Sequence, residues 1–254
     1  MKPGHSETIQ AQFDAQAQAY LQSAVHAAGP DLRHARELVA ACAMKGELLD
    51  AGCGAGHLSF TLAPLAARVT ALDPSPNMLA TVAEAAVQRG YAHLRTVQAQ
   101  SESMPFSDGH FDIVASRYSA HHWRDLPAAL KEMRRVLKPG GRMLMIDIEG
   151  CEDALVDTHL QTMEVLRDRS HVRDRSPSEW QRLLRQAGFT DIEHRNWPTR
   201  LEFNSWVERM RTSDERVAML RTLQREAPEE VRKALAIESD GSFTATTGLW
   251  WARA

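Results

Sequence analysis

The sequence predicts a doubly wound α/β domain built on a mostly parallel, seven-stranded sheet with helices on both faces. N-terminal helices precede the sheet, and a helical insertion precedes its last strand. Between residues 47 and about 150, short apolar runs alternate with helical segments, which is the pattern of successive βαβ units. A glycine-rich turn follows the first run, at the edge where such sheets bind ligands. We therefore expect residues 1–254 to form a single domain, although length alone also fits two small ones.

Composition excludes several other classes of protein. The chain is 43% hydrophobic and 25% charged, which is typical of a globular protein and excludes a disordered or collagen-like one. A formal net charge of −3 offers no positive field for a nucleic-acid backbone, so no nucleic-acid partner is expected. The three cysteines lack the spacing of a disulfide framework or a zinc site. With neither a signal-peptide core nor an apolar run of about 18 residues, the protein is expected in the cytoplasm, without a membrane span.

Each element up to residue 150 has a local signal. Residues 11–43 are rich in Ala and Gln and predict helices interrupted by a Gly-Pro pair, which would form an N-terminal cap over residues 1–45. Ser75 and Asp125 are predicted to cap the helices that follow the second and fourth strands. A further helix is expected directly after the glycine-rich turn. The predicted strands of the core, residues 46–150, are 47–51, 68–73, 94–98, 111–116 and 142–148.

The rest of the chain, residues 151–254, is predicted to add helices and two final strands. One helix begins with a capping-box pattern at Ser176 and Glu179 and ends at Gly188. The predicted elements are a helix near 153–168, the capped helix 176–188, a strand at 189–196, a helical insertion over 203–236 and a strand at 243–251.

The most specific motif is the glycine loop, residues 50–56, which reads Asp-Ala-Gly-Cys-Gly-Ala-Gly. Glycines at a strand-to-helix turn permit unusual dihedral angles and let a ligand approach the backbone closely. Asp73 ends the second predicted strand, 17 residues after Gly56, where its carboxylate can accept hydrogen bonds from both hydroxyls of a ribose. Together these features predict a nucleoside site. The alternative is a purely structural turn beside an ordinary surface aspartate.

The loop differs from a dinucleotide-binding loop in two ways. His57 occupies the position of the third glycine that a dinucleotide fingerprint requires. Asp50 would repel a pyrophosphate, whereas its carboxylate suits a ligand that carries an ammonium group. The loop therefore favours a nucleoside with a cationic tail, and a nicotinamide-dependent oxidoreductase is the less favoured alternative.

Several motifs, in order, resemble those of a known family. Residues 47–149 resemble the class I S-adenosylmethionine-dependent methyltransferases, in particular the branch related to the ubiquinone/menaquinone C-methyltransferases. The family's N-terminal FDxxAxxY pattern is also present, from Phe13 to Tyr20. The four core stretches are LLDAGCGAG (48–56), ALDPSPNML (71–79), AQSESMPFSDGHFDIV (99–114) and EMRRVLKPGGRML (132–144).

By that resemblance, the fold is Rossmann-like and the cofactor is S-adenosyl-L-methionine, with S-adenosyl-L-homocysteine as the product. Gly52 and Gly54 would lie under the cofactor, Asp50 near its amino group, and Asp73 against its ribose hydroxyls. The full set of residues implied to bind it is Tyr20, Asp50, Gly52, Cys53, Gly54, Asp73, Pro74, Met78, Gln100, Ser101 and Arg117.

The adenine and methionine ends of the cofactor are assigned by the same resemblance. Met78 would pack against the adenine, and Gln100 and Ser101 match the segment that reads its edge. The family commonly has Asp at the position of Gln100, whose amide oxygen still accepts a hydrogen bond but carries no charge. Tyr20 and Arg117 would lie at the methionine end, Arg117 by pairing with the carboxylate. The alternatives are a core methionine at 78 and a surface ion pair at 117.

The fourth predicted strand continues into Arg117-Tyr-Ser-Ala-His-His-Trp123, at the edge that faces the cofactor. His121 or His122 is predicted to be the base that deprotonates a methyl acceptor near neutral pH. For each histidine, the alternative is a hydrogen bond to backbone that holds the loop. Because no third ligand follows at a helical spacing, no metal is expected.

Two features of residues 151–254 leave alternatives open for the acceptor side. The arginines between Arg167 and Arg175 indicate a solvated helix end, or else a site that attracts an anionic acceptor. Phe203, Trp206, Val207 and Met210 lie at helical spacing and indicate core, or else a lid over the site.

The sequence as a whole predicts S-adenosylmethionine-dependent methyl transfer to a small-molecule acceptor. A non-catalytic S-adenosylmethionine-binding module is the alternative of another class, because cofactor binding alone does not prove transfer.

Overall fold

The computed structural model describes residues 4, 5, 7, 8, 29–42 and 46–254. The predicted N-terminal helix before residue 29, with Phe13 and Tyr20, lies outside the described residues. Within the described part of the chain, no helix is long and apolar enough to cross a membrane.

The elements follow the predicted alternation. The strands are β1 (Glu47–Ala51), β2 (Arg68–Asp73), β3 (Leu94–Gln98), β4 (Phe111–Arg117), β5 (Leu137–Glu149), β6 (Thr190–Leu201) and β7 (Phe243–Arg253). The α-helices are α1 (Pro30–Ala41), α2 (His57–Leu62), α3 (Pro76–Gln88), α4 (Leu126–Val136), α5 (Ala154–Arg167), α6 (Pro177–Gln186), α7 (Phe203–Arg209), α8 (Asp214–Arg225) and α9 (Glu229–Ala234). Short 3-10 turns lie at Ala63–Leu65 and Ala120–His122.

The strands form one seven-stranded sheet in the order β3-β2-β1-β4-β5-β7-β6. β1 to β5 pair in parallel, whereas β7 runs antiparallel between β5 and β6. The predicted fold class is therefore confirmed. The strand order reverses between β1 and β4, so a crevice opens beyond the carboxyl ends of these two strands.

Alternation along the buried strands produces two cores, one on each face of the sheet. In β1, Leu49 and Ala51 face the core that α4 and α6 cover, while Leu48 faces the core that α1 and α2 cover. This is the two-residue period of a strand whose faces are both buried. A third apolar cluster joins α5 to the helical insertion (α7, α8 and α9).

The predicted helix starts have the expected caps. The Ser75 side chain accepts a hydrogen bond from Met78 N, and the Asp125 side chain accepts one from Ala128 N. Ser176 and Glu179 form both hydrogen bonds of a capping box. These three starts are confirmed to the residue.

Three element boundaries differ from prediction by more than two residues. β5 begins at Leu137, because Phe111 pairs with Leu137 and Ile113 with Arg142, so the expected Lys-Pro-Gly-Gly turn is an irregularity within the strand. β6 extends to Leu201 because β7 pairs with it along its length. α2 ends at Leu62 and continues as a 3-10 turn that contains Pro64, which lacks the amide hydrogen of a longer helix.

Shortening a side chain in the sheet should show how far stability depends on these cores. Leu49 is fully buried in β1, so Leu49→Ala should lower the free energy of unfolding by about 2–5 kcal/mol. Val87 is 81% exposed, so Val87→Ala should change it by less than about 0.5 kcal/mol. Urea denaturation measures both values, and equal losses would contradict the packing described above.

Candidate cofactor and acceptor site

A cavity of about 750 Å³ lies beyond the carboxyl ends of β1, β2 and β4. Every predicted site residue in the described part of the chain lines it. These residues are Asp50, Gly52, Cys53, Gly54, Asp73, Pro74, Met78, Gln100, Ser101, Arg117, His121 and His122. The structure thus brings the glycine loop, the acid of β2 and the histidine segment after β4 into one site.

The glycine loop has the backbone conformation that its sequence predicts. Gly52 and Gly54 have φ angles of 70° and 49°, in the left-handed region that favours glycine. The amides of Gly52 and Cys53 both donate to the carbonyl of Leu72, at 2.8 and 2.9 Å. A Cβ at Gly52 would lie 2.0 Å from Ser119 Oγ, whereas a Cβ at Gly54 would meet no atom within 4 Å. Gly54 therefore offers open backbone to the cavity.

Asp73 ties this loop to the end of β2. Its Oδ2 accepts a hydrogen bond from Gly54 N at 2.9 Å, and its Oδ1 accepts one from Ser75 N, also at 2.9 Å. A carboxylate can accept about four hydrogen bonds, and these two hold the group at the wall of the cavity. The carboxylate predicted to bind a ribose therefore also fixes the loop beside it.

Asp50 is a buried carboxylate with one oxygen unsatisfied. Its Oδ2 accepts a hydrogen bond from Ser59 Oγ at 2.6 Å, and no donor in the described part of the chain bonds its Oδ1. Burial raises the pKa of Asp50 to about 6, although the Ser59 hydrogen bond opposes this. Such a carboxylate is suited to a cationic ligand. Ser59 was not predicted as a site residue, and its signal is a hydroxyl between the buried apolar residues Leu58 and Phe60.

Arg117 forms an ion pair whose partner was not predicted. Its Nε lies 2.5 Å from Oδ2 of Asp31, in the first turn of α1, and both side chains are 5% exposed. The guanidinium carbon lies 4.4 Å from the centre of the Tyr118 ring. The alternative of a surface ion pair is therefore correct that Arg117 pairs with an acid. It is wrong about the location, because the pair is buried beside the cavity. Asp31 itself gave only a helix-start signal, after Pro30.

The three residues assigned to the adenine, Met78, Gln100 and Ser101, line the cavity. Met78 is 2% exposed at the first turn of α3, and Ser101 is 4% exposed after β3. The carbonyl of Gln100 accepts a hydrogen bond from Ser103 N at 3.1 Å. The cavity therefore has one wall made of α3 and the segment after β3.

His121 is held by a carboxylate from the neighbouring strand. Its Nδ1 lies 2.5 Å from Asp147 Oδ1, and its amide donates to Asp147 Oδ2 at 3.0 Å. Asp147 is 1% exposed and also accepts a hydrogen bond from Ile148 N. Burial lowers the pKa of His121, but the charge and hydrogen bond of Asp147, together with the charges of Asp174 and Glu164, outweigh burial and raise the pKa to about 9. His121 is therefore mainly an imidazolium at neutral pH.

His122 has different surroundings. Its Nδ1 lies 3.2 Å from the carbonyl oxygen of Ser170, and its ring is buried. Burial and the nearby positive charge of His121 lower the pKa of His122 to about 4. These contacts support the alternative reading for this residue, a histidine that holds a loop. The base assignment remains a prediction for both residues.

Asp147 and Asp174 were missed by the sequence analysis. Asp147 interrupts the apolar run of β5, and a charge within a buried strand is a signal that could have found it. A ring nitrogen of His121 and one carboxylate oxygen each of Asp147 and Asp174 lie within 4.8 Å of one another. A set of three possible metal ligands is therefore present, but its two aspartates lie far from His121 in the sequence and not at a helical spacing from it. Both Asp147 oxygens already accept hydrogen bonds, however, which indicates a positioning pair with His121.

The structure bears on the two features of residues 151–254 that the sequence left open, the arginine segment and the apolar stripe. Arg167 pairs with Glu164 at 2.7 Å, and Arg173 lies 3.2 Å from both Asp157 and Glu179, so acids offset the arginine segment. The apolar stripe of α7 is buried, as expected of core. Two members of that stripe, Trp206 and Met210, also line the cavity.

Comparison with known proteins gives consistent results. Residues 49–145 match the family model described as a methyltransferase domain. The chain is 44% identical over 193 residues to the uncharacterized protein YafE of Escherichia coli, covering 76% of this chain and 93% of YafE. It is 34% identical over 232 residues to the uncharacterized methyltransferase YcgJ of Bacillus subtilis, covering 91% of this chain and 90% of YcgJ. The crystal structure of YcgJ superposes with a TM-score of 0.83 at 30% identity, covering 88% of this chain and 97% of YcgJ.

A matched pair of glycine substitutions should separate backbone strain from ligand contact. Gly54 and Gly90 both have left-handed φ angles and open space around a built Cβ, but only Gly54 lines the cavity. Each change to Ala should therefore cost about 1–2 kcal/mol of stability. Only Gly54→Ala should weaken S-adenosylmethionine binding, by tenfold or more, in calorimetric titration. Equal binding by the two variants would show that no ligand approaches Gly54.

The environment of His121 predicts an unusual titration. Nuclear magnetic resonance of the imidazole protons should show one histidine that titrates near pH 9 and that disappears in His121→Asn. Asp147→Asn should move that midpoint to lower pH, because it removes the charge that stabilises the imidazolium. Since the folded pKa lies above the unfolded value, this group's contribution to stability should be complete below about pH 6.5 and lost toward pH 9. A midpoint near pH 6.5 in the wild type would contradict the described pairing.

Proposed function

Because this chain belongs to the S-adenosylmethionine-dependent methyltransferases, we propose that its cavity binds S-adenosylmethionine on the glycine loop and a small-molecule methyl acceptor against His121. The observation that carries this proposal is that one cavity is lined by the glycine loop, by Asp73 and by His121. When bound, S-adenosylmethionine supplies an activated methyl group on a positively charged sulfur.

The described residues fit this cofactor. The unsatisfied Oδ1 of Asp50 is a buried acceptor for an ammonium group, and the open backbone at Gly54 allows close approach. Asp73 is held at the cavity wall by two amides, and its carboxylate would accept hydrogen bonds from the ribose hydroxyls. Arg117 would bind the carboxylate of the methionine end while it remains beside Asp31. Tyr20 is kept in the proposal for the same end, on the resemblance of its motif.

His121 is proposed to accept a proton from the acceptor. Asp147 orients the ring through Nδ1, which leaves Nε2 as the atom that takes the proton. The pairing also raises the basicity of the ring, so the neutral form is scarce at neutral pH but strongly basic when present. A module that only bound S-adenosylmethionine would not need such a pair, so this arrangement supports an enzyme.

The remaining parts of the proposal concern organisation and setting. The described elements form one sheet with shared cores, which supports a single domain in which residues 46–150 bind the cofactor and residues 151–254 form the acceptor side. A net charge of −3 supports a small-molecule acceptor over nucleic acid, and we place the activity in the cytoplasm.

Calorimetric titration with S-adenosylmethionine, S-adenosylhomocysteine and NAD tests the cofactor site. The two sulfur ligands should bind with micromolar affinity and NAD should not bind. Asp73→Ala should weaken both sulfur ligands by at least tenfold, because it removes the ribose acceptor and frees the Gly54 amide. Asp191→Ala, an exposed change outside the cavity, is the control. Binding of NAD alone would overturn the proposed function.

A screen of acceptors with methyl-labelled S-adenosylmethionine tests the transfer step. With any acceptor found, His121→Gln should slow single-turnover transfer far more than His122→Gln, because only His121 is oriented by a buried carboxylate. Full activity of both variants would remove the histidines from the mechanism.

A further inference from the structure

Asp174 is a buried acid in the cavity that the proposed mechanism does not use. Its side chain lies in the cavity wall and the residue is only 2% exposed. Two hydrogen bonds to Gln161 fix its backbone: the Asp174 amide donates to Oε1 at 3.1 Å, and its carbonyl accepts from Nε2 at 2.8 Å. Its Oδ2 is buried and has no hydrogen-bond partner among the residues that the structure describes.

The acids around Asp174 have partners. Glu164 accepts a hydrogen bond from Arg167 at 2.7 Å, and Asp147 holds His121. Asp168 accepts hydrogen bonds from the amide and the hydroxyl of Ser170, at 2.8 and 2.6 Å. A buried carboxylate oxygen without a donor is costly, so its place in a ligand cavity indicates a missing donor.

Charge in this part of the cavity points to the sign of that donor. Three carboxylates line it, from Glu164, Asp168 and Asp174. A fourth, that of Asp147, lies outside the lining against His121, and the cations are Arg167, Arg209 and His121. One negative charge is therefore in excess when all are ionised. Burial and the charge of Glu164 raise the pKa of Asp174 although the charges of His121 and Arg167 oppose them, so a further cation beside Asp174 would stabilise its anion.

The surrounding surface is suited to an organic ligand. Trp206 and Met210 line the same cavity from the helical insertion, and Trp197 and Leu201 line it from β6. Both tryptophan rings already have an arginine guanidinium over them, so these walls mainly accommodate a carbon skeleton. The excess negative charge also disfavours the anionic acceptor that the arginine segment had suggested.

We propose that the methyl acceptor is a small organic amine that binds in its protonated form, with Asp174 as the carboxylate that pairs with its ammonium group. This inference rests on the proposed function, since it names the acceptor class of the same site. Asp174 contributes selectivity for charge. An acceptor atom needs a lone pair to receive a methyl group, so the neutral form of His121, oriented by Asp147, would take the proton that this atom loses.

Binding of matched probes to the wild-type protein with S-adenosylhomocysteine present tests this inference. The probes are the amine, alcohol and carboxylate forms of four skeletons: butyl, cyclohexylmethyl, phenylethyl and indolylethyl. Calorimetry or saturation-transfer resonance should show at least one amine binding tenfold or more tighter than its matched alcohol and carboxylate. Absence of any amine preference across the four sets would overturn the inference. Because this comparison uses the wild type, it does not depend on how any variant folds.

Asp174→Asn tests the residue itself, with Asp191→Asn as the matched control because Asp191 is an exposed aspartate outside the cavity. Asp174→Asn should lose the amine preference and retain S-adenosylhomocysteine binding, while the control keeps both. An amine preference that survives in Asp174→Asn would overturn the assignment. Titration with Mg²⁺, Mn²⁺ and Zn²⁺ tests a metal ion as the ligand of Asp174 instead. If a metal ion binds the wild type but not Asp174→Asn, and the wild type shows no amine preference, the inference is overturned in favour of a metal site.

The outcomes separate the two proposals. If the wild type fails to bind S-adenosylhomocysteine, the proposed function itself is wrong. If it binds S-adenosylhomocysteine but treats amines, alcohols and carboxylates alike, only the acceptor class is wrong.

Discussion

The hydrogen bond between the Asp73 carboxylate and the Gly54 amide is the constraint on which the cofactor side of the site depends. It joins the loop after β1 to the last residue of β2, and the Leu72 carbonyl adds two more bonds from the same strand end. These three hydrogen bonds hold the loop against the end of β2. Because both strands are buried in two cores, the rigidity of the sheet is passed directly to the backbone that faces the cavity.

A second constraint acts on the other side of the cavity. Asp147 is fixed in β5, and it holds both the ring and the amide of His121, which follows β4. Parallel pairing of β4 with β5 places these residues at the same edge, since the carboxyl ends of parallel strands coincide. The chemistry of the site is therefore built at strand ends, while the helical insertion supplies the apolar walls.

Sequence reasoning was most successful where a signal is local. Strand alternation, the glycine loop and the Ser75, Asp125 and Ser176 caps depend on neighbouring residues, and the structure shows them as predicted. It failed where a contact joins distant segments. Nothing near His121 in the chain reveals Asp147, and the same holds for the ion pair of Arg117 with Asp31, which is separated from it by 86 residues. The predicted length of β6 was too short for the same reason, because β6 extends as far as its pairing with the distant strand β7.

The strand order has a consequence for how the chain acquires its structure. β6 meets the sheet only through β7, and β7 is the last strand in the sequence. During synthesis one edge of β5 therefore stays unpaired until residues 243–253 leave the ribosome. β6 also has no strand to pair with before that point. Trp250 and Trp251 on β7 also complete the two opposite cores. Nascent chains of this protein thus pass through a state with an unpaired strand and two incomplete cores, which is the stage at which a chaperone would matter most.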